Sequence, residues 1–175
     1  AEFCFTDGTQ TSSNSATYQQ EKCGLIFEGV DSGIAFDIAG STEPRTIKIY
    51  TGAYAATVKT EIRLNEEEAP IKTLQQTVSA SRGNILTLRT QTVSDDDVLH
   101  IKISITDVTD PTYGRMSFHA VTVYGPLSSE LPAEPVNFIS EAIALQKAQT
   151  VNLTREGNLD WAHFGSEDLQ NYEMQ

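Results

Sequence analysis

The stretch Val98-Leu99-His100-Ile101-Lys102-Ile103-Ser104-Ile105-Thr106 decides the fold class. Leu99, Ile101, Ile103 and Ile105 fall on one side of it, and His100, Lys102, Ser104 and Thr106 on the other. Successive side chains of a strand point to opposite faces, so this alternation of period two makes a half-buried strand with one dry face. The pattern recurs at short spacing. Ile34, Phe36 and Ile38 oppose Ala35, Asp37 and Ala39. Ile47 and Ile49 oppose Thr46, Lys48 and Tyr50, and Val58, Thr60, Ile62 and Leu64 oppose Lys59, Glu61 and Arg63. Weaker versions cover residues 71–80, 84–93 and 115–124. The last is apolar on both faces, which predicts a central strand.

Breaks fall between these runs at Asp31-Ser32-Gly33, Gly40 to Pro44, Asn65 to Pro70, Arg82-Gly83-Asn84, Ser94 to Asp97 and Asp110 to Gly114. Gly, Pro, Asn, Asp and Ser are the residues that turns require. Short strands with breaks this frequent, and no gap wide enough for a helix, exclude a parallel α/β sheet. The expected fold is all-β, an antiparallel β-sandwich or jelly roll.

Composition agrees. Of 175 residues, 43 are Thr, Val or Ile, beside 11 Gly and 6 Pro. Those residue types suit strands and turns. The formal charge is −12, a field that repels a nucleic-acid backbone and an anionic membrane surface, so neither is an expected partner. No apolar run approaches the roughly 20 residues of a membrane-spanning helix. Ala1-Glu2-Phe3-Cys4-Phe5 carries neither a basic nor a long apolar stretch, as in a cytosolic chain or a mature or excised segment.

Three segments depart from the strand rhythm. Residues 9–17 (TQTSSNSAT) read as a polar surface loop, and residues 126–135 (PLSSELPAEP) as a Pro-rich linker. Residues 136–148 fit a short helix or a strand. The organisation expected is a main sandwich over 1–125, linker and short helix over 126–149, and a completing strand over 150–175. Cys4 and Cys23 both lie in strand-like apolar contexts, and a disulfide and two buried thiols are equally compatible with that. His100, His119 and His163 are too scattered for a zinc site.

The most distinctive string is Thr150 to Gly165, TVNLTREGNLDWAHFG, which holds the only tryptophan, Trp161. It resembles the opening strand, V-N-L-T-x-E-G-T-L-D-W-A-H-W-G, of a jelly-roll, galactose-binding-like β-sandwich module of bacterial secreted and cell-surface proteins. Asn158 and Phe164 are the departures. Further segments resemble later parts of such modules: Phe3-Cys4-Phe5-Thr6-Asp7-Gly8-Thr9, Gly33-Ile34-Ala35-Phe36-Asp37-Ile38, and Thr42-Glu43-Pro44-Arg45-Thr46-Ile47-Lys48-Ile49-Tyr50-Thr51-Gly52. The order is permuted, because the opening string stands last. That fits either a circular permutant or a slice across a tandem array. A sandwich lacking a core strand leaves an open edge and an apolar slot. Residues 150–164 are therefore expected to pair into the sandwich of residues 3–125, or to be exchanged between copies as a strand-exchanged homodimer. The resemblance implies a secreted or cell-surface accessory module without catalysis, which binds a glycan or cell-surface polysaccharide. The alternative is a structural spacer or assembly module with no small ligand.

Sugar recognition uses aromatic faces together with charged or amide groups, and the candidates are Tyr54, Tyr113, Arg115, Trp161 and His163. Against this, a single tryptophan on an alternating strand is ordinarily core, and a histidine two residues on is ordinarily buried and hydrogen-bonded. No cofactor is expected beyond a structural calcium, whose oxygens would come from Asp95 and Asp97 with Asp96, or from Asp107 and Asp110. The runs Glu66-Glu67-Glu68 and Asp95-Asp96-Asp97 also read simply as solvated turns. No G-x-S-x-G elbow or phosphate-cradling loop is present, so no enzyme is expected. The sequon Asn152-Leu153-Thr154 reads as a chance match.

Overall fold

A computed structural model describes residues 3–6, 24–79, 82–125, 139–145, 149–152, 157 and 159–163. Among the described residues there are twelve strands and no helix. They are β1 (Phe3–Thr6), β2 (Leu25–Glu28), β3 (Gly33–Ala39), β4 (Arg45–Tyr54), β5 (Ala56–Leu64), β6 (Lys72–Val78), β7 (Arg82–Thr90), β8 (Val98–Val108), β9 (Arg115–Tyr124), β10 (Ile139–Leu145), β11 (Gln149–Asn152) and β12 (Asp160–His163).

Two antiparallel sheets form a β-sandwich. One has the order β3-β8-β5-β6. The other runs β10-β7-β4-β9-β12, with β2 also paired to β9. The alternating apolar faces meet between them. Ile47, Ile49 and Leu88 from the six-stranded sheet, and Ile62, Leu99, Ile101 and Ile105 from the four-stranded one, are all at most 1% exposed. Phe118 of β9 crosses this core to Phe36 of β3, ring centroids 5.5 Å apart. Gly33 is required where β3 starts, since a Cβ there would stand 2.0 Å from the Ile103 carbonyl oxygen.

The outer face of the four-stranded sheet is wet. There Glu61 lies between Lys59 (3.3 Å) and Arg63 (3.8 Å), and His100 Nδ1 meets Asp37 Oδ1 at 2.6 Å. At the centre of the six-stranded sheet, on β4 and β9, the outer face is buried too: Tyr50, Ala120 and Thr122, which alternate with the core residues, are also closed to solvent. This is why β9 reads as apolar throughout.

Strands β2 and β12 share one edge of β9. Leu25 to Glu28 stand opposite Phe118 to Arg115, and Asp160 to His163 opposite Val123 to Ala120. His119 falls between them, as the extra residue of a bulge that shifts the β4–β9 register between Tyr50 and Thr51. Its Nε2 lies 2.9 Å from Ser117 Oγ.

Several expectations change. Of the described residues of the string 150–164, those in β11 pair parallel to β1 in a separate two-stranded ladder, and those of β12 join the sandwich. Of the two readings open for residues 136–148, residues 139–145 take the strand, paired with β7. Arg82-Gly83-Asn84 is not a turn but the start of β7, because Gly83 is laddered to Gly52 and Leu145. The loop of residues 9–17, the linker of residues 126–135, Cys23 with its pairing to Cys4, and the sequon's Leu153 and Thr154 lie outside the described residues.

At one end of the sandwich the β3–β4, β5–β6 and β7–β8 loops are tied together by two carboxylates. Asp95 Oδ1 accepts from the Thr42 amide (2.6 Å) and hydroxyl (2.9 Å). Asp97 accepts from Asn65 Nδ2 and from the Ser94 amide, both at 2.9 Å. These donors favour the charged forms: the Thr42 amide foremost for Asp95, and the Asn65 side chain foremost for Asp97, hold each carboxyl below its ordinary value. A carboxyl with a depressed folded pKa stabilises the fold above the unfolded value of about 3.9, and that contribution is lost as pH falls through the folded value. The double variant Asp95→Asn/Asp97→Asn should therefore melt below the wild type at pH 6, and the gap should close on acidification. Thermal melts between pH 6 and pH 2 check this. A gap unchanged down to pH 2 would contradict it.

Candidate ligand-binding rim

The opposite end of the sandwich gathers three of the five aromatic and basic candidates. Tyr54 closes β4 and Arg115 opens β9. The two stand directly opposite each other in the ladder, with Glu28 of β2 on the far side of Arg115. Directly opposed residues of an antiparallel pair have Cβ atoms roughly 5 Å apart on one face, so Tyr54, Arg115 and Glu28 form a row. Arg115 and Glu28 are exposed and Tyr54 is half-buried.

The bulge at His119 sets this row. Counted back from the Tyr50–Ala120 pair without it, Tyr54 would stand opposite Met116, which is 0% exposed and part of the core. One extra residue moves the partner to Arg115 and keeps the row on the outer face.

Tyr113, 60% exposed, precedes Arg115 by two residues in the loop between β8 and β9. That loop is held from within. Asp110 Oδ1 accepts from the amides of Thr112 (2.9 Å) and Tyr113 (3.1 Å), and the Asp110 carbonyl accepts from Gly114 N at 2.7 Å. The Thr109 amide donates to the carbonyl of Ala55 (2.9 Å), the single residue between β4 and β5, which holds a left-handed φ of 46°. Tyr54 and Tyr113 are thus carried on two segments bonded to each other. Ile26 and Val30, about half exposed, lie on β2 and in the loop after it at the same end.

Trp161 and His163 are placed elsewhere, in register with Thr122 and Ala120. Their side chains lie outside the described residues, as do the expectations about their burial. The two alternative calcium sets lie at opposite ends: Asp107 and Asp110 at the rim end, and Asp95 and Asp97 in the loop clasp at the other. Asp107 stands opposite Thr57, beside a second bulge at Thr106. Among the described residues no three His, Cys, Asp or Glu side chains gather as a metal site would require. Glu28 had no sequence signal of its own, since its position beside Arg115 exists only through the β2–β9 pairing.

The row offers the planar donor fork of a guanidinium, an acceptor-only carboxylate and an aromatic face. Comparison with protein-family models, with curated proteins and with solved structures gives no match.

Proposed function

We propose that the chain is a non-catalytic β-sandwich module that binds carbohydrate at the rim of Tyr54, Tyr113, Arg115 and Glu28. The observation that carries this reading is the cross-strand row Tyr54–Arg115–Glu28 beside the exposed Tyr113. A pyranose has an apolar face that stacks on an aromatic ring, and hydroxyls that take bonds from a guanidinium and give them to a carboxylate. The resemblance of residues 150–165 to glycan-associated surface modules points the same way, toward a secreted or cell-surface protein and a polysaccharide ligand. The proposal asks for no acid–base pair and no cofactor.

A glycan array spanning plant, host-mucin and microbial polysaccharides tests it. Arg115→Ala and Tyr113→Ala should each weaken the best hit about tenfold or more, as loss of a charged hydrogen bond or of a stacking face does. Both residues are exposed, so melting temperatures should hardly move.

The assembly reading has its own supporting observation. β12 completes the edge of β9 from beyond residue 125 with only four paired residues, a geometry that a second copy could supply equally well. In that case no glycan binds, and sedimentation reports a dimer that Arg115→Ala leaves intact.

A further inference from the structure

The space between the two sheets is not filled evenly. Toward the Asp95–Asp97 end the facing positions carry Ile47, Leu88, Ile62 and Leu99. Toward the rim, on the side of β6 and β7, they carry Thr51, Ala53, Val58, Thr60, Gln76 and Asn84, and a cavity of about 120 Å³ remains. Protein interiors rarely leave a void much larger than a water molecule. This one, partly open to solvent, approaches the roughly 150 Å³ of a cavity that takes benzene. Ile49, Leu74, Leu86 and Ile103 supply apolar walls. Polar groups are confined to a few places: Asn84 and Thr60 are more than nine-tenths buried, and Gln76 Nε2 donates across the gap between the sheets to Asn84 Oδ1 at 3.2 Å. Burying an amide in an apolar chamber is costly unless its hydrogen-bonding capacity is used.

We propose that this cavity binds a short unbranched alkyl chain of about four or five heavy atoms ending in a hydroxyl or amide, a size set by its volume. The chain lies between Ile49, Leu74, Leu86 and Ile103, and the head bonds at the Gln76–Asn84 pair. The site is separate from the rim and independent of the carbohydrate reading.

Titration of the whole chain with 1-butanol, followed residue by residue through amide NMR shifts, tests the proposal. Saturable shifts confined to Thr51, Thr60, Gln76, Asn84 and their strand neighbours are expected. Val58→Phe, which fills the chamber from one wall, should raise the half-saturation concentration about tenfold or more without altering the remaining spectrum. If Val58→Phe does not fold, Leu86→Phe fills from the facing sheet and serves instead. Shifts that grow without saturating, shifts centred on exposed Ile26, Val93 or Tyr113, or undiminished binding in the filled variant would each overturn the proposal.

Discussion

Removal of residues 150–175 should abolish cooperative folding. The loss is expected at the edge of β9, where Ala120 to Val123 ladder with His163 to Asp160 and the Leu159 amide adds a bond of 3.1 Å to the Val123 carbonyl. Leu159 also seats against Gly125, so closely that a Cβ there would stand 2.5 Å from its Cδ1. Each backbone hydrogen bond contributes only about 1 kcal/mol net, and the larger consequence is the open edge left behind. Without β12, Val121 and Val123 would line an open edge, a template for association with another chain. The shortened chain should be recovered insoluble, or should unfold in urea over a broad transition. A narrower version of the test keeps the chain whole. Neighbouring residues of an edge strand turn their amides alternately inward and outward, so one of Trp161→Pro and Ala162→Pro must remove a ladder donor and the other need not. One of the two should lower the melting temperature well below the other. If the truncated chain stayed soluble with an unchanged, sharp transition, β12 would be an ornament on the sheet.

The alternation in Val98–Val108, Gly33–Ala39 and Ala56–Leu64 was legible because each of these strands has one wet and one dry face. The same holds for the central place of β9, whose two apolar faces are both buried. What the sequence did not disclose is long-range. Arg82-Gly83-Asn84 has the chemistry of a turn, yet β7 runs through it because Gly83 meets Gly52, a pairing between residues 31 positions apart. The strand β2 is only four residues long, too short for a period to show. The rim was visible as separate residues, Tyr54, Tyr113 and Arg115, each beside turn chemistry. Their assembly depends on a bulge at His119 that no local pattern announces, since an extra residue in a strand is recognised only against its partner. The acidic turn 95–97 was read as solvated or as a calcium site. What neither reading foresaw is that two of its carboxylates accept amide donors from loops 40–44 and 65–70, partners remote in sequence.

Phe118→Ala should cost about 3–5 kcal/mol, the range for deleting a buried aromatic ring from a core that collapses only partly. The ring is 1% exposed on the inner face of β9 and meets Phe36 of the opposite sheet at 5.5 Å, so its removal empties contacts on both sheets at once. It also immediately precedes the bulged His119, where β4 and β9 change register. Neighbouring strands can close on a lost side chain only by shifting, and here a shift would have to move a register fixed on both sides of the bulge. For a chain of this size each kcal/mol lowers the melting temperature by roughly 2–4 °C, so a drop on the order of 10 °C is expected. Phe118→Leu, which keeps most of the apolar volume, should lose much less, and Phe36→Ala, at a half-buried position, should fall between the two. Urea unfolding at constant m-value would establish the order. A Phe118→Ala protein within 1 kcal/mol of wild type, a bound set as roughly one surface substitution's effect, would show that the two sheets do not meet through this contact.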